Sequence, residues 1–348
     1  MNVTDFDYIL PPERIAQRSV EPRDHARLLV MDRSSGALAD HYIYDLPSLV
    51  RPGDLLIMND TRVFKARLTG RIGARDIEVF LLHADTETGV DTAIWHTLIR
   101  PGKHVRIGDT IVFDEKVSAR LIEKSEDGTA LLEFNATTEE LLAWADVHGQ
   151  IPSPPYVEQI QDEASYQTVY AKHTGSVAAP TAGFHFTEEL LEKLDAQGVE
   201  RAFVTLHVGL GTFRPMKTET LEEHAMHAEW GHVPQTTIEA IQRTRARGGR
   251  VIVVGTTAMR ALESMAQASV NANADSLHEW SGWTNIFITP GFAFRVADGL
   301  ITNFHLPKST LIVLVSAFAG REHVLNAYKH AVDNAYRFYS FGDAMFIV

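Results

Sequence analysis

Cysteine is absent from the 348-residue chain, so disulfides, thiolate zinc sites and iron–sulfur clusters are excluded. Long apolar runs are missing too, because the stretch TLIVLVSAFAG is too short to cross a bilayer. The opening MNVTDFDYIL lacks the basic and apolar regions of a secretory signal. We therefore expect a cytoplasmic protein without a membrane partner.

Positively charged residues are outnumbered, with 32 Lys and Arg against 45 Asp and Glu and a formal net charge of −13. This balance disfavours a protein that coats nucleic acid indiscriminately, because such binding depends on neutralising phosphates with Lys and Arg. A local basic patch remains compatible with it. One basic run stands out and comprises Arg62, Lys65, Arg67, Arg71 and Arg75.

The segment 62–150 has the composition of a small antiparallel β-barrel. Short runs rich in β-branched and aromatic residues alternate with turn signals such as Pro101-Gly102. A helix over ATTEELLAWADVHG closes the segment, and the Pro-rich GQIPSPPYVE marks a boundary. The predicted strands are VFKARLTGRI, DIEVFLLHA, AIWHTLI, HVRI, DTIVF, VSARLIEK and TALLEF.

The flanking segments 1–61 and 151–348 alternate strands with helices, which is typical of an α/β domain. The sequence therefore predicts one α/β domain made of both segments, with the β-barrel of residues 62–150 inserted into it. Such an insertion is tolerated when the ends of the inserted unit lie close together.

Polar residues follow four apolar strand patterns of the α/β domain, DLLIM, AFVTL, RVIVV and LITNF. Ligands of α/β folds bind beyond the carboxyl ends of strands, so these turns are the expected site. The hydroxyls of Thr257 and Ser309 have an equally good alternative as helix N-caps. The candidate residues are Asn59, Asp60, Thr61, Arg62, His207, Gly209, Gly211, Thr212, Gly255, Thr256, Thr257, Arg260, Asn303, His305, Lys308, Ser309 and Thr310.

One further histidine, His185, lies between Phe184 and Phe186 immediately before a predicted helix. In a partly dry aromatic pocket, desolvation disfavours the imidazolium, so the neutral form that can act as a base would dominate near neutral pH. The alternative is a histidine packed into an aromatic core.

The stretch EEHAMHAEW places His224 and His227 three residues apart, with Glu229 two residues further on. On a helix this spacing would suggest a metal site, but Glu229 would not share the helical face of His227. A His and Glu pair that serves a substrate is the preferred interpretation.

Together these motifs resemble the S-adenosylmethionine:tRNA ribosyltransferase-isomerase family of queuosine biosynthesis. The resemblance covers nearly the whole chain. The stretches that carry it include FDYILPPERIAQ, GDLLIMNDTRVFKARL, AAPTAGFHFTEELLEKL, FVTLHVGLGTFRP, HAMHAEW, VVGTTAMRALES, TPGFAFRVADGLITNFHLPKSTLIVLVSAFAG and YRFYSFGDAMFI.

The resemblance implies a barrel-like α/β catalytic domain with an inserted small β-barrel. It also implies a reaction in which the ribosyl part of S-adenosylmethionine is transferred and isomerised onto 7-aminomethyl-7-deazaguanine at the wobble position of tRNA. The products are epoxyqueuosine-tRNA, adenine and methionine. The implied partners are that tRNA and S-adenosylmethionine as co-substrate. Because cysteine is absent and the sulfonium supplies the electrophilic activation, we expect no other cofactor and no metal.

This chemistry needs a base for the ribose C5′–H, which the sulfonium acidifies, and a proton donor for the departing adenine. Histidine suits both tasks near neutral pH. The candidate catalytic residues are His185, His207, Glu229 and His305, and the sequence leaves their roles undivided.

The remaining strand-end residues are the expected substrate contacts. Asp60 and Arg62 are expected to orient the nucleobase, and the helix start at 308–310 suits the methionine carboxylate or a phosphate. The turns 209–212 and 255–257 suit close approach of the adenosyl group. The expected contacts to tRNA phosphates are Lys65, Arg67 and Arg71.

Two other classes of protein remain open at this point. One is a metal-dependent hydrolase that uses His224, His227 and Glu229. The other is a non-enzymatic RNA-binding protein that binds through the inserted barrel.

Overall fold

The computed structural model describes residues 1–85, 93–125, 128–152, 163–209, 216–272 and 276–348. The described chain divides into two compact units. The larger unit contains residues 1–62, 163–173, 179–209, 216–272 and 276–348, and the smaller contains 63–85, 93–125, 128–152 and 174–178. No helix in these segments is both long and apolar enough to cross a membrane.

The strands are β1 Arg27–Met31, β2 Leu38–Tyr42, β3 Leu55–Asn59, β4 Thr61–Val63, β5 Arg67–Ile72, β6 Arg75–Ala84, β7 Ile94–Arg100, β8 Thr110–Val112, β9 Ser118–Lys124, β10 Thr129–Phe134, β11 His173–Ser176, β12 Glu200–Leu206, β13 Glu229–Val233, β14 Val251–Val254, β15 Trp280–Thr284, β16 Gly299–Asn303 and β17 Ala344–Ile347. The α-helices are α1 Leu46–Leu49, α2 Thr138–His148, α3 Glu188–Ala196, α4 Gln235–Ala246, α5 Thr256–Asn271, α6 Thr310–Ala319 and α7 Arg321–Asp333.

The smaller unit is a closed antiparallel barrel of six strands in the order β10-β7-β6-β5-β8-β9. Its strands alternate buried and exposed residues, because one face packs inward and the other meets solvent. In β5, Leu68 and Gly70 are buried, whereas Arg67, Thr69 and Arg71 are exposed. Helix α2 follows the barrel strands and is capped by Thr137, whose hydroxyl accepts from the amide of Glu140.

The segment HVRI, predicted as a strand, is not one. Residues 102–104 form a 3-10 turn, and the chain then turns at Gly108, which has a φ of 92°. The Asp109 carboxylate accepts from the amide of Arg106 at 2.8 Å, and the amide of Asp109 donates to the Arg106 carbonyl at 3.0 Å. These local bonds use the backbone groups that a sheet ladder would need.

The larger unit is built on a nine-stranded mixed sheet in the order β15-β13-β12-β3-β14-β16-β17-β1-β2. Strands β12, β3, β14 and β16 are consecutive parallel neighbours. Strand β17 lies between β16 and β1, antiparallel to the first and parallel to the second. The predicted class, an α/β domain with a small antiparallel β-barrel, is confirmed.

The central strands are buried along their whole length, because helices cover parallel sheets on their faces. Every residue of β3 and β14 is buried. Helix α5 follows β14 directly, and its N-cap residue is Gly255, whose φ of 89° favours glycine. Helix α3 is capped by Thr187, with Glu188 and Glu189 in its first turn, where carboxylates interact favourably with the helix dipole.

Candidate functional site

The carboxyl ends of β12, β3, β14 and β16 meet at one edge of the sheet, because these four neighbours run parallel. A cavity opens at this edge. It is lined by Ala179, Pro180, Thr181, Ala182, Val208, Gly255, Thr256, Thr257, Thr302, Asn303, Phe304, His305, Leu311, Tyr339 and Ser340. The cavity therefore draws residues from three of the four predicted strand ends.

The side chain of Asn59, at the fourth strand end, is fully buried and ties its neighbours together. Its Nδ2 donates to the carbonyl of Leu206 at 3.0 Å and to the hydroxyl of Thr257 at 3.1 Å. Its Oδ1 accepts from the amides of Leu206 and Thr61, at 3.0 and 3.1 Å. The whole hydrogen-bonding capacity of this amide is used within the protein, so Asn59 fixes the geometry of β3, β12 and α5.

Asp60 is buried beside two groups that the sequence analysis missed. Its Oδ1 accepts from the hydroxyl of Thr205 at 2.7 Å, and its Oδ2 lies 3.6 Å from Nε2 of His173. Burial raises the pKa of Asp60, against the opposing effect of the Thr205 hydrogen bond. No motif around His173 distinguishes it from an exposed loop histidine, because its partner is more than a hundred residues away.

His207 is half-buried directly after β12. Its Nδ1 lies 2.8 Å from the hydroxyl of Thr61, and its ring stacks on Trp230 with 5.2 Å between centroids and 20° between planes. Burial first, and then the charge of His173, lower the pKa of His207 to about 4. The imidazole is therefore neutral at pH 7.

His305 lines the cavity, and both its backbone amide and its backbone carbonyl are hydrogen-bonded to tyrosine hydroxyls. Its amide donates to the hydroxyl of Tyr328 at 3.0 Å, and its carbonyl accepts from the hydroxyl of Tyr8. Its Nε2 lies 2.8 Å from the hydroxyl of Thr302. Burial lowers the pKa of His305 to about 3, so this imidazole is also neutral at pH 7.

His185 lies behind Asn303 and is not among the residues that line the cavity. The Nδ2 of Asn303 lies 3.2 Å from Nε2 of His185 and donates to the carbonyl of Tyr339 at 3.0 Å. The second contact fixes the orientation of the amide, so Nε2 of His185 is an acceptor. Burial lowers the pKa of His185 to about 4, helped by the charges of Arg337 and Arg23.

Glu229 and Arg260 form a buried ion pair, with side chains 4% and 5% exposed. The second carboxylate oxygen accepts from the amide of Gly209 at 2.8 Å. This bond anchors the segment that enters the predicted glycine turn. Gly211 and Thr212 of that turn lie outside the described residues.

The metal alternative has no geometric support. No group of three or more His, Asp or Glu side chains suited to a metal ion occurs within the described parts of the chain. Residues 222–228 are not helical, so the spacing of His224 and His227 does not place them on one helical face. Glu229 begins strand β13 and pairs with Arg260.

The three predicted contacts at the start of α6, residues 308–310, are not among the residues that line the cavity, although the next residue, Leu311, is. Lys308 forms an exposed ion pair with Asp7 at 2.9 Å. The hydroxyl of Ser309 accepts from the amide of Ile312 and so caps the helix, which was the alternative considered for it. Thr310 is the first residue of α6 and is half-buried.

The predicted basic run is largely exposed. Arg62, at the end of the larger unit, is exposed, and Lys65 of the smaller unit is half-buried. On the barrel, Nε of Arg67 donates to Glu78 at 2.6 Å, and Nε of Arg71 donates to Asp76 at 2.8 Å. Both arginines thus lie in cross-strand ion pairs between β5 and β6.

Because three buried or half-buried histidines are neutral in the folded protein, we expect the free energy of unfolding to fall in acid. In the unfolded chain these histidines take up protons below about pH 6.5. In the folded chain the pKa values of His185, His207 and His305 are lowered to about 4, 4 and 3, so they stay neutral until the pH falls to those values. The unfolded state then binds more protons, so stability is intact above pH 6.5 and falls as the pH decreases toward 4. Each histidine contributes about 1.4 kcal/mol per pH unit in this window.

Urea denaturation between about pH 7 and pH 5 measures this loss. His185→Gln should make the dependence shallower, because glutamine does not titrate. His278→Gln is the matched control, since His278 is exposed. An unchanged slope in His185→Gln would show that this histidine titrates normally in the folded protein.

The fold is that of an α/β protein with a closed antiparallel β-barrel as its second unit, and the cavity at the carboxyl edge of its large sheet is lined by His305, whose imidazole is neutral at pH 7. The family model described as queuosine biosynthesis protein matches residues 3–347. The chain therefore belongs to the queuosine biosynthesis protein family.

Relatives of full length support this assignment. S-adenosylmethionine:tRNA ribosyltransferase-isomerases from Desulfitobacterium hafniense and Moorella thermoacetica are each 50% identical, and that from Staphylococcus aureus strain JH9 is 47% identical. Each alignment covers 100% of both chains. A crystal structure of S-adenosylmethionine tRNA ribosyltransferase from Thermotoga maritima is 39% identical and superposes with a TM-score of 0.57, covering 99% of this chain and 100% of that one.

These comparisons confirm the family predicted from the sequence motifs and identify the chain as an enzyme of queuosine biosynthesis. They support neither the hydrolase nor the non-enzymatic RNA-binding alternative.

Proposed function

We propose that the cavity at the carboxyl edge of β12, β3, β14 and β16 is where this S-adenosylmethionine:tRNA ribosyltransferase-isomerase acts. There the ribosyl part of S-adenosylmethionine is transferred and isomerised onto 7-aminomethyl-7-deazaguanine of tRNA. The observation that carries the proposal is the convergence of polar strand ends at one cavity, which is lined by the neutral His305 and by Val208, the residue next to the neutral His207. Full-length relatives of the same named activity support it.

A division of the roles that the sequence left open is part of the proposal. His207 is the proposed base, because no described residue hydrogen-bonds its Nε2. His305 lines the cavity and is the proposed contact to the departing adenine. His185 and Glu229 are proposed to act indirectly, through Asn303 and the Gly209 amide respectively.

The substrate contacts divide in the same way. Gly255, Thr256 and Thr257 line the cavity, so they are the proposed adenosyl contacts. Asp60 and Arg62 remain the proposed contacts to the nucleobase. Arg260 acts through Glu229, and the proposed carboxylate contact of Lys308 requires its ion pair with Asp7 to open.

The decisive experiment incubates the protein with S-adenosylmethionine and tRNA that carries 7-aminomethyl-7-deazaguanine. Mass spectrometry should then detect epoxyqueuosine in the tRNA, together with adenine and methionine in equal amounts. Unmodified tRNA after prolonged incubation would contradict the proposal. No metal is proposed to take part, so turnover should survive EDTA as long as the tRNA stays folded.

The barrel arginines are proposed to contact tRNA phosphates. The double variant Arg67→Gln/Arg71→Gln should bind tRNA more weakly, and its salt dependence should be shallower by about one unit per lost phosphate contact. Arg120→Gln is the matched control, because Arg120 forms a similar exposed pair with Glu133 on the same barrel at 2.6 Å. Binding isotherms at several salt concentrations measure both slopes, and equal slopes would place the tRNA surface elsewhere.

A further inference from the structure

We propose that Thr61 is a positioning residue that holds His207 as the Nδ1–H tautomer and so leaves the lone pair of Nε2 available as the base. This inference rests on the proposed function of the site. The side chain of Thr61 is fully buried, and its Oγ1 lies 2.8 Å from Nδ1 of His207. The same hydroxyl donates to the carbonyl of His173 at 3.5 Å.

The proposed tautomer depends on the hydroxyl giving its proton to the His173 carbonyl. A threonine hydroxyl has one hydrogen, and the His173 carbonyl can only accept. When the hydroxyl donates to that carbonyl, it must accept from Nδ1–H of His207. A neutral imidazole has only one ring proton, so Nε2 is left with its lone pair.

The acceptor carbonyl is itself held in place. The amides of Lys172 and His173 both donate to the backbone carbonyl of Asp60, at 2.7 and 3.2 Å. Because Asp60 is the residue before Thr61, these bonds fix the His173 carbonyl relative to the Thr61 hydroxyl. The position of the His173 carbonyl, which accepts the Thr61 hydroxyl proton, is thus set by backbone hydrogen bonds.

A stacking contact also restricts the orientation of the His207 ring. Trp230 stacks on it, and the His207 amide donates to the Trp230 carbonyl at 2.9 Å. The ionisable groups that face this region are His173 and its partner Asp60, while Glu229, the neighbour of Trp230 on β13, is paired with Arg260. No described residue hydrogen-bonds Nε2 of His207, and this nitrogen is the atom proposed to meet the substrate.

In the step served by this arrangement, the ribose C5′–H bond beside the sulfonium breaks. The proton moves to Nε2 of His207, and the electron pair stays on C5′, where the positive sulfur stabilises it. The resulting imidazolium keeps its Nδ1–H bond to Thr61, so no proton has to leave the other nitrogen.

Thr61→Val removes the hydroxyl at nearly constant volume, and Thr61→Ser keeps it. We expect kcat of Thr61→Val to fall by about ten- to a hundredfold, the scale for a lost partner that orients a histidine, with KM for S-adenosylmethionine unchanged. Thr61→Ser should restore kcat to within about threefold of wild type. A valine variant as active as the serine variant would overturn the proposal.

The tautomer is read independently of activity by ¹⁵N NMR of protein labelled in its histidine rings, with His207→Gln used to assign the signal. Wild type should show a protonated Nδ1 and an unprotonated Nε2 for His207 near pH 7. The opposite tautomer would overturn the proposal even if Thr61→Val failed to fold. Wild type that modifies no tRNA but shows the expected tautomer would refute the proposed function and leave the positioning by Thr61 in place.

Discussion

His207→Gln is expected to turn over about two to four powers of ten more slowly than wild type, the usual loss when a general base is removed. Glutamine keeps a polar group near the Thr61 hydroxyl but offers no basic lone pair. Because His207 is only half-buried, the fold should tolerate the change. Turnover is measured by release of adenine under saturating substrates, and folding is measured by the melting temperature.

His185→Gln serves as the comparison for this prediction. Its amide oxygen can still accept from Nδ2 of Asn303, so we expect a smaller loss of turnover than in His207→Gln. If His207→Gln turned over normally and His185→Gln did not, the base would be His185. If only His305→Gln lost turnover, His305 would take that role.

Arg260→Met is expected to lower the free energy of unfolding by about 3 to 5 kcal/mol, because it leaves the Glu229 carboxylate buried without its cation. Both side chains are almost fully excluded from solvent. Chemical denaturation measures the loss. Arg201→Met is the matched control, since Arg201 pairs with Asp195 at the surface and should cost less than about 1 kcal/mol.

A double variant distinguishes the interaction between the two buried charges from their interactions with other residues. Arg260→Met/Glu229→Gln removes both charges, so it should recover part of the stability that Arg260→Met loses. The Gln side chain can still accept from the Gly209 amide. Additive losses in the double variant would show that the two charges do not stabilise each other.

The sequence predicts the fold class, and it predicts the edge of the sheet at which the cavity opens. Runs such as LLIMN and VIVV are continuously apolar, which is typical of buried parallel strands, and polar residues follow them. Parallel strands bring such ends together without any further information. Asn59 and Asn303 were therefore predicted at this edge, and the structure places them at the carboxyl ends of β3 and β16, on either side of β14.

The pairing of side chains within the site could not be predicted. Glu229 and Arg260 lie on a strand and a helix 31 residues apart, and His173 reaches Asp60 from a distant segment. Tyr339 lines the cavity in a backbone conformation with a φ of 76°, which no local pattern indicates. Such contacts depend on tertiary geometry, whereas periodicity reports only the burial of one element.

The position of β17 between β16 and β1 also bears on the order in which the chain folds. The amide of Arg27 donates to the carboxylate of Asp343, and 316 residues separate these two groups. Joining them closes a very long loop, and contacts so distant in sequence form slowly. The barrel strands β5 to β10 pair entirely within residues 67–134, so their loops close earlier. We therefore expect the inserted barrel to be folded while the sheet around the site is still incomplete.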